Sequence, residues 1–246
     1  MDSESFKISP IKVEFNQDML NAALTAVAAG QYKYGLMVGI NNTARDVQKA
    51  LVAAMPVKLD RPRPFTVNSL YTKFARDKNN PEAEVLYRQF AGKGPPAARY
   101  LIPQVEGGKR VAKGFEKRLQ ARGKLPAGRF LVPGKGLTLD KYGNVPGAVY
   151  TKILSALKAQ HDETQNTASG GQFFIGSPGG KAFGIYKRMP GKNGKYGRIF
   201  PFFIAVDHAP NYEPRFPFFD IGQREMERVY SDNIIKGFDH AIATAR

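Results

Sequence analysis

The chain has 246 residues, 42% of them hydrophobic, enough for one large domain or two small ones with a buried core. Its 37 Lys+Arg outweigh 21 Asp+Glu for a formal net charge of +16, a balance that attracts nucleic acid, anionic lipid or acidic protein surfaces. The absence of cysteine excludes disulfides and thiolate chemistry; the polar start Met1-Asp2-Ser3-Glu4-Ser5 is unlike a secretory signal, and no apolar run is long enough to span a bilayer.

Phe6 to Phe15 alternates loosely through Ile8, Ile11 and Val13 and reads as an edge strand. Met19, Leu20, Ala23, Ala26 and Val27 suit a first helix, broken near Gly30. A second helix is expected over 34–55, because Leu36, Ile40, Ala44, Val47, Leu51 and Met55 form one stripe, and Pro56 is expected to end it. After the extended Asp60-Arg61-Pro62-Arg63-Pro64, the β-branched and aromatic residues from Phe65 to Phe74 predict a strand, with Val85-Leu86-Tyr87 as its hairpin partner. Val105 to Arg122 reads as one basic helix stopped by Gly123. Phe130-Leu131-Val132 is a short strand and 149–157 a helix, followed by a polar connector from His161 to Gly171. Three β segments then follow, at 172–175, 182–188 and 198–207, the last two joined by the turn residues Gly191-Lys192-Asn193-Gly194.

The chain ends in an aromatic joint, Tyr212-Glu213-Pro214-Arg215-Phe216-Pro217-Phe218-Phe219-Asp220, whose prolines bar a regular helix. From Gly222 a helical stripe returns: Met226, Tyr230, Ile234, Phe238, Ala241 and Ala245. The rings of the joint are too apolar to leave in water, so they enter a core or a neighbouring subunit. The expected fold is therefore α+β, a small antiparallel sheet packed by long N- and C-terminal helices. In this reading 1–96 holds the N-terminal helices and first strands of the core, 97–171 is an inserted basic helical segment, and 172–246 completes the core with the meander and last helix.

No motif for catalysis emerges. The glycine-lysine pairs at 92, 108, 134 and 180 lack the Ser or Thr that closes a phosphate-cradling loop. His161, His208 and His240 are scattered, and Asp207-His208 at a strand end reads as a surface turn. Ser155, Ser169 and Ser177 have no nucleophile-elbow context. No enzyme activity, metal or cofactor is expected. The basic segment is the other candidate: Lys109, Lys113 and Lys117 fall one helical turn apart, bordered by Arg110 and Arg118 and followed by Arg122, placed to meet phosphates or an acidic partner.

The order of these elements carries a resemblance. A basic N-terminal helical region precedes the β segment after Arg61-Pro62-Arg63-Pro64-Phe65-Thr66. Gly184-Ile185-Tyr186-Lys187-Arg188 and Arg198-Ile199-Phe200-Pro201-Phe202 follow, then Arg215-Phe216-Pro217-Phe218 leads into a final helix. This resembles the tail-completion or minor-tail-protein-Z group of tailed bacteriophages and prophages, over about the first ninety and last seventy-five residues. The middle segment is longer than the compact family pattern. The resemblance implies a virion protein made in the host cytoplasm. It would form a homo-oligomeric ring, hexameric or matched to a twelvefold portal, at the head–tail junction or upper tail. Portal, adaptor or tail proteins would be its partners, with no cofactor and no membrane. Phe216, Phe218, Phe219, Tyr230 and Ile234 are then the expected assembly interface. The alternative is a non-specific nucleic-acid-binding protein that uses the basic middle helix, with DNA as its contact.

Overall fold

The computed structural model describes residues 11–13, 29–90, 94–167, 172–190 and 196–244. The fold is α+β and divides into two compact units: Met1–Gly107 with Glu213–Arg246, and Gly108–Tyr212.

In the first unit the predicted stripe forms α1 (Ala29–Lys58), and Leu36, Ile40, Ala44, Val47, Leu51 and Met55 are all buried. Gly30 lies inside this helix and does not break it, while the helix expected around 19–27 lies outside the described residues. Pro56 falls in the last turn without stopping it: a proline removes only its own N–H, and the Leu59 N–H still reaches the Met55 carbonyl at 2.9 Å. A three-stranded antiparallel sheet lies in this unit, ordered β1 (Ile11–Val13), β3 (Ala83–Tyr87), β2 (Leu70–Lys73), so β1 is the expected edge strand. Only the second half of the strand expected over 65–74 is extended. Pro64, pre-set for a first helical position, starts the single turn α2 (Pro64–Val67) instead.

Ala83, Val85 and Tyr87 alternate inward from β3 and join α1, α3 (Ala98–Glu106) and α6 (Phe218–Ala243) in one core. α1 and α6 approach closely at glycines. A Cβ on Gly39 would lie 2.8 Å from Ile234 Cα, and one on Gly237 would lie 2.7 Å from the Gly39 nitrogen and against the Gly35 carbonyl. Tyr32 stacks on Phe238 beside this crossing, with ring centroids 5.2 Å apart.

The hydroxyls of Tyr32 and Tyr87 are buried without a hydrogen-bond partner among the described residues. Burial pushes both phenols above their ordinary pKa. A desolvated, unpaired hydroxyl costs stability that a phenylalanine does not. Tyr87→Phe is therefore expected to raise unfolding stability by roughly 1 kcal/mol, read as a higher urea midpoint at unchanged slope.

The second unit is a four-stranded antiparallel sheet in the order β5 (Phe130–Pro133), β8 (Tyr196–Val206), β7 (Gly184–Pro190), β6 (Phe173–Gly176). The helices α4 (Gly114–Ala121) and α5 (Gly147–Ala156) supply Leu119, Ile153 and Leu154 to a core with Leu131, Ile185 and Phe203. Phe115, Tyr150 and Phe203 pack ring on ring at 4.9–5.8 Å. The outgoing β4 (Gly108–Lys109) pairs with the returning β9 (Asn211–Tyr212), so the unit is a closed excursion of the chain. The first unit shows the matching closure, since the N–H groups of Arg215 and Phe216 both donate to the Gln104 carbonyl.

This corrects the expected organisation. The insertion is 108–212, not 97–171, and the meander belongs to it and not to the core of the terminal helices. β5 is the short strand expected at 130–132, and it pairs with β8 about seventy residues on, from Phe130 opposite Val206 to Pro133 opposite Phe203. The turn residues 191–194 lie outside the described residues.

Candidate functional site

The aromatic joint is core. Phe216 and Phe218 are 0% and 1% exposed, and Phe218 packs on Tyr87 with ring centroids 5.1 Å apart. Ile234 is buried and Tyr230 leans on the same cluster. Of the five residues expected at an interface Phe219, 43% exposed, lies at the surface, and Tyr230 is half-buried. Besides Phe219, α6 turns Ile235 and Ile242 outward, 58% and 69% exposed and one heptad apart. Both lie off the stripe read from the sequence, and their spacing of seven was the signal for them.

The continuous basic helix does not form. α3 stops at Glu106 because Gly107 and Gly108 both take positive φ (75° and 99°), a conformation open to glycine, and α4 starts only at Gly114. The six cations therefore do not share a stripe. Lys109, Lys113, Lys117, Arg118 and Arg122 are exposed, and Arg122 pairs with Glu163 at 2.8 Å.

Arg110 is buried and faces inward. Its guanidinium forks onto Glu116, with Nη2 to Oε1 at 2.6 Å and Nη1 to Oε2 at 2.9 Å, and lies 5.2 Å from the Phe130 ring centre. The carboxylate also accepts the backbone N–H of Lys113 at 2.6 Å and of Leu131 at 2.7 Å. Burial alone would raise the Glu116 pKa. The hydrogen bonds from Arg110, Leu131 and Lys113 and the Arg110 charge outweigh it and hold the carboxyl below its ordinary value. This pair ties α4 to β5 and to the strand that enters the unit, so it is architectural.

Asp207 and His208 are both exposed, and Asp207 accepts Arg129 Nε at 2.8 Å. The arrangement is the surface turn the sequence suggested. Among the described residues no three His, Cys, Asp or Glu converge on a possible metal position, and no helix is long and apolar enough to cross a membrane. A shallow groove runs between α5 and the start of β6, lined by Lys152, Ser155, Gln160, Thr167 and Phe173. The Ser155 hydroxyl is already bonded to the Gln165 carbonyl at 2.7 Å.

Charge separates the units. The second carries 18 Lys+Arg against 5 Asp+Glu, a net +13, and the first 19 against 16. All five acids of the second unit serve local structure: Glu116, Glu163 and Asp207 pair with arginines, while Asp140 and Asp162 accept backbone N–H groups in turns. Searches for similar proteins match no family model, no curated protein and no solved structure.

Proposed function

We propose that the chain is a structural subunit of a tailed-bacteriophage particle, closing into a homo-oligomeric ring at the head–tail junction or upper tail, where it meets portal, adaptor or tail proteins. Its role in this reading is architectural, not enzymatic. The observation that supports it is the outer stripe of α6. The core-facing side of that helix is committed through Val229, Ile234 and Ala241, which leaves Ile235 and Ile242 exposed and suited to burial against another chain. A closed ring needs two different patches that meet head to tail, and a long helix on the surface of a compact unit supplies one of them.

The test is the mass of the full chain by sedimentation velocity. The unaltered protein is expected to run as a ring, and Ile235→Glu with Ile242→Glu as a monomer with the same melting temperature. A chain that is monomeric at high concentration, or a double variant that still forms the ring, would overturn this reading.

A further inference from the structure

Most of the sheet edges in this chain are closed by side chains. In the first unit Gln48 of α1 covers β2: its amide donates to the Leu70 carbonyl at 3.0 Å and its oxygen accepts the Thr72 hydroxyl at 2.8 Å. In the second unit β5 is closed by other means. The Gly134 N–H donates to the Phe202 carbonyl, so by alternation Leu131 and Pro133 turn their backbone groups away from β8. Glu116 takes the outward Leu131 N–H at 2.7 Å, and Pro133 has no N–H to offer.

β6 is left open. The Arg188 backbone N–H donates to the Gln172 carbonyl opposite it, and on the far side of β7 the Ala205 N–H donates to the Phe183 carbonyl. Both bonds set the same phase. Phe174 and Gly176 bond to β7, while Phe173 and Ile175 direct their N–H and C=O groups outward. Among the described residues none of these outward groups has a partner. The strand, Phe173-Phe174-Ile175-Gly176, carries no charge or proline of the kinds that guard an exposed edge.

Beside this edge lies the groove of about 370 Å³, with Phe173 contributed by β6 and Lys152 by α5. Thr151, Ser155 and Gln160 in its lining are already bonded within the unit. Lys152 is exposed and has no acid beside it among the described residues.

We propose that β6 takes an added strand: an extended acidic segment of another protein, lying antiparallel along it with Asp or Glu side chains in the groove beside Lys152. An extended polypeptide offers donors and acceptors at every second residue, about 7 Å apart, which is the repeat of this edge. Phosphates and lipid headgroups supply acceptors for the N–H groups but nothing regular for the carbonyls. A second copy of this unit is disfavoured by its net charge of +13, and the same charge attracts an acidic segment. In an antiparallel addition the residues opposite Phe173 and Ile175 exchange both backbone bonds with them and share their face of the sheet, which is the face of the groove. The residues that carry the acids are therefore the ones whose N–H groups must be free. The inference concerns the second unit alone and stands whether or not the chain forms a ring.

The experiment titrates a short fluorescent peptide of alternating Glu and Val into the full chain, followed by anisotropy, with amide exchange of Phe173 and Ile175 read by NMR. Binding is expected to slow exchange at both amides. Methyl groups on the backbone nitrogens of the Glu residues should abolish binding, and methyl groups on those of the Val residues should leave it intact. Lys152→Glu, at an exposed helix position, should weaken the Glu–Val peptide by about fivefold and strengthen the matching Lys–Val peptide by a similar factor.

A peptide that binds equally well with either set of methyl groups, or leaves the two amides unprotected, would overturn the added strand. Binding lost only with methylated Val would overturn the register. An unaltered affinity in Lys152→Glu would overturn the acidic character of the partner. No binding at all would overturn the proposal outright. So would amides protected in the free chain in proportion to its concentration, the mark of a second copy on the edge.

Discussion

Glu116→Ala is expected to be among the most damaging single substitutions in the second unit, costing about 3–5 kcal/mol in chemical denaturation. The loss exceeds that of one ion pair because the Arg110 guanidinium is left charged in a buried site and the N–H groups of Lys113 and Leu131 lose their acceptor. Removing both charges together is a different experiment. Arg110→Met with Glu116→Leu leaves no orphaned charge and should recover much of the loss, since buried ion pairs gain little over well-packed apolar side chains. The pH dependence has a definite sign. The Glu116 pKa is held below its ordinary 4.5, so the contribution is fully present above that value and is lost as pH falls through the lower, folded value. The double variant should lack this part of the acid sensitivity. A Glu116→Ala protein with unaltered stability would mean that the carboxylate does not organise the unit.

The residues that spoke clearly in the sequence did so through local period. α1 and α6 each bury a stripe that recurs every three or four positions, and Met226, Ile234, Phe238 and Ala241 lie where that period puts them. Non-local pairing was silent: nothing in Phe130-Leu131-Val132 indicates a partner about seventy residues away, so the insertion was cut too short. At 105–122 two local signals conflicted. The Lys spacing favoured a helix, the pair Gly107-Gly108 argued against it, and the glycines prevailed. Glu116, an acid amid six cations, was the visible hint that one of them would turn inward. Phe216 and Phe218 are equally apolar at an interface or in a core, and composition cannot distinguish the two.

Gly237→Ala sets two opposing effects against each other, and their magnitudes decide. In an exposed helix interior the exchange stabilises by about 1 kcal/mol, because alanine has less backbone freedom to lose. At the α1–α6 crossing the new methyl would meet the Gly35 carbonyl and the Gly39 nitrogen and Cα, all backbone atoms that no rotamer change can move aside. Relief requires the helices to separate, which loosens the contacts of Tyr32 with Phe238 and of Asn233 with Asp46. Overpacking of this kind costs typically 1–3 kcal/mol, with rigid backbone contacts at the upper end, so the net expectation is a loss of roughly 2 kcal/mol. Gly30→Ala is the matched comparison: it lies in α1, where a Cβ meets nothing within 4 Å, and it should stabilise by up to about 1 kcal/mol. Opposite signs at the two positions, measured as unfolding midpoints of the full chain, would place the effect in the crossing. If Gly237→Ala also stabilised, the helices would have room to spare and the close approach would not be what joins the two ends of the chain into one unit.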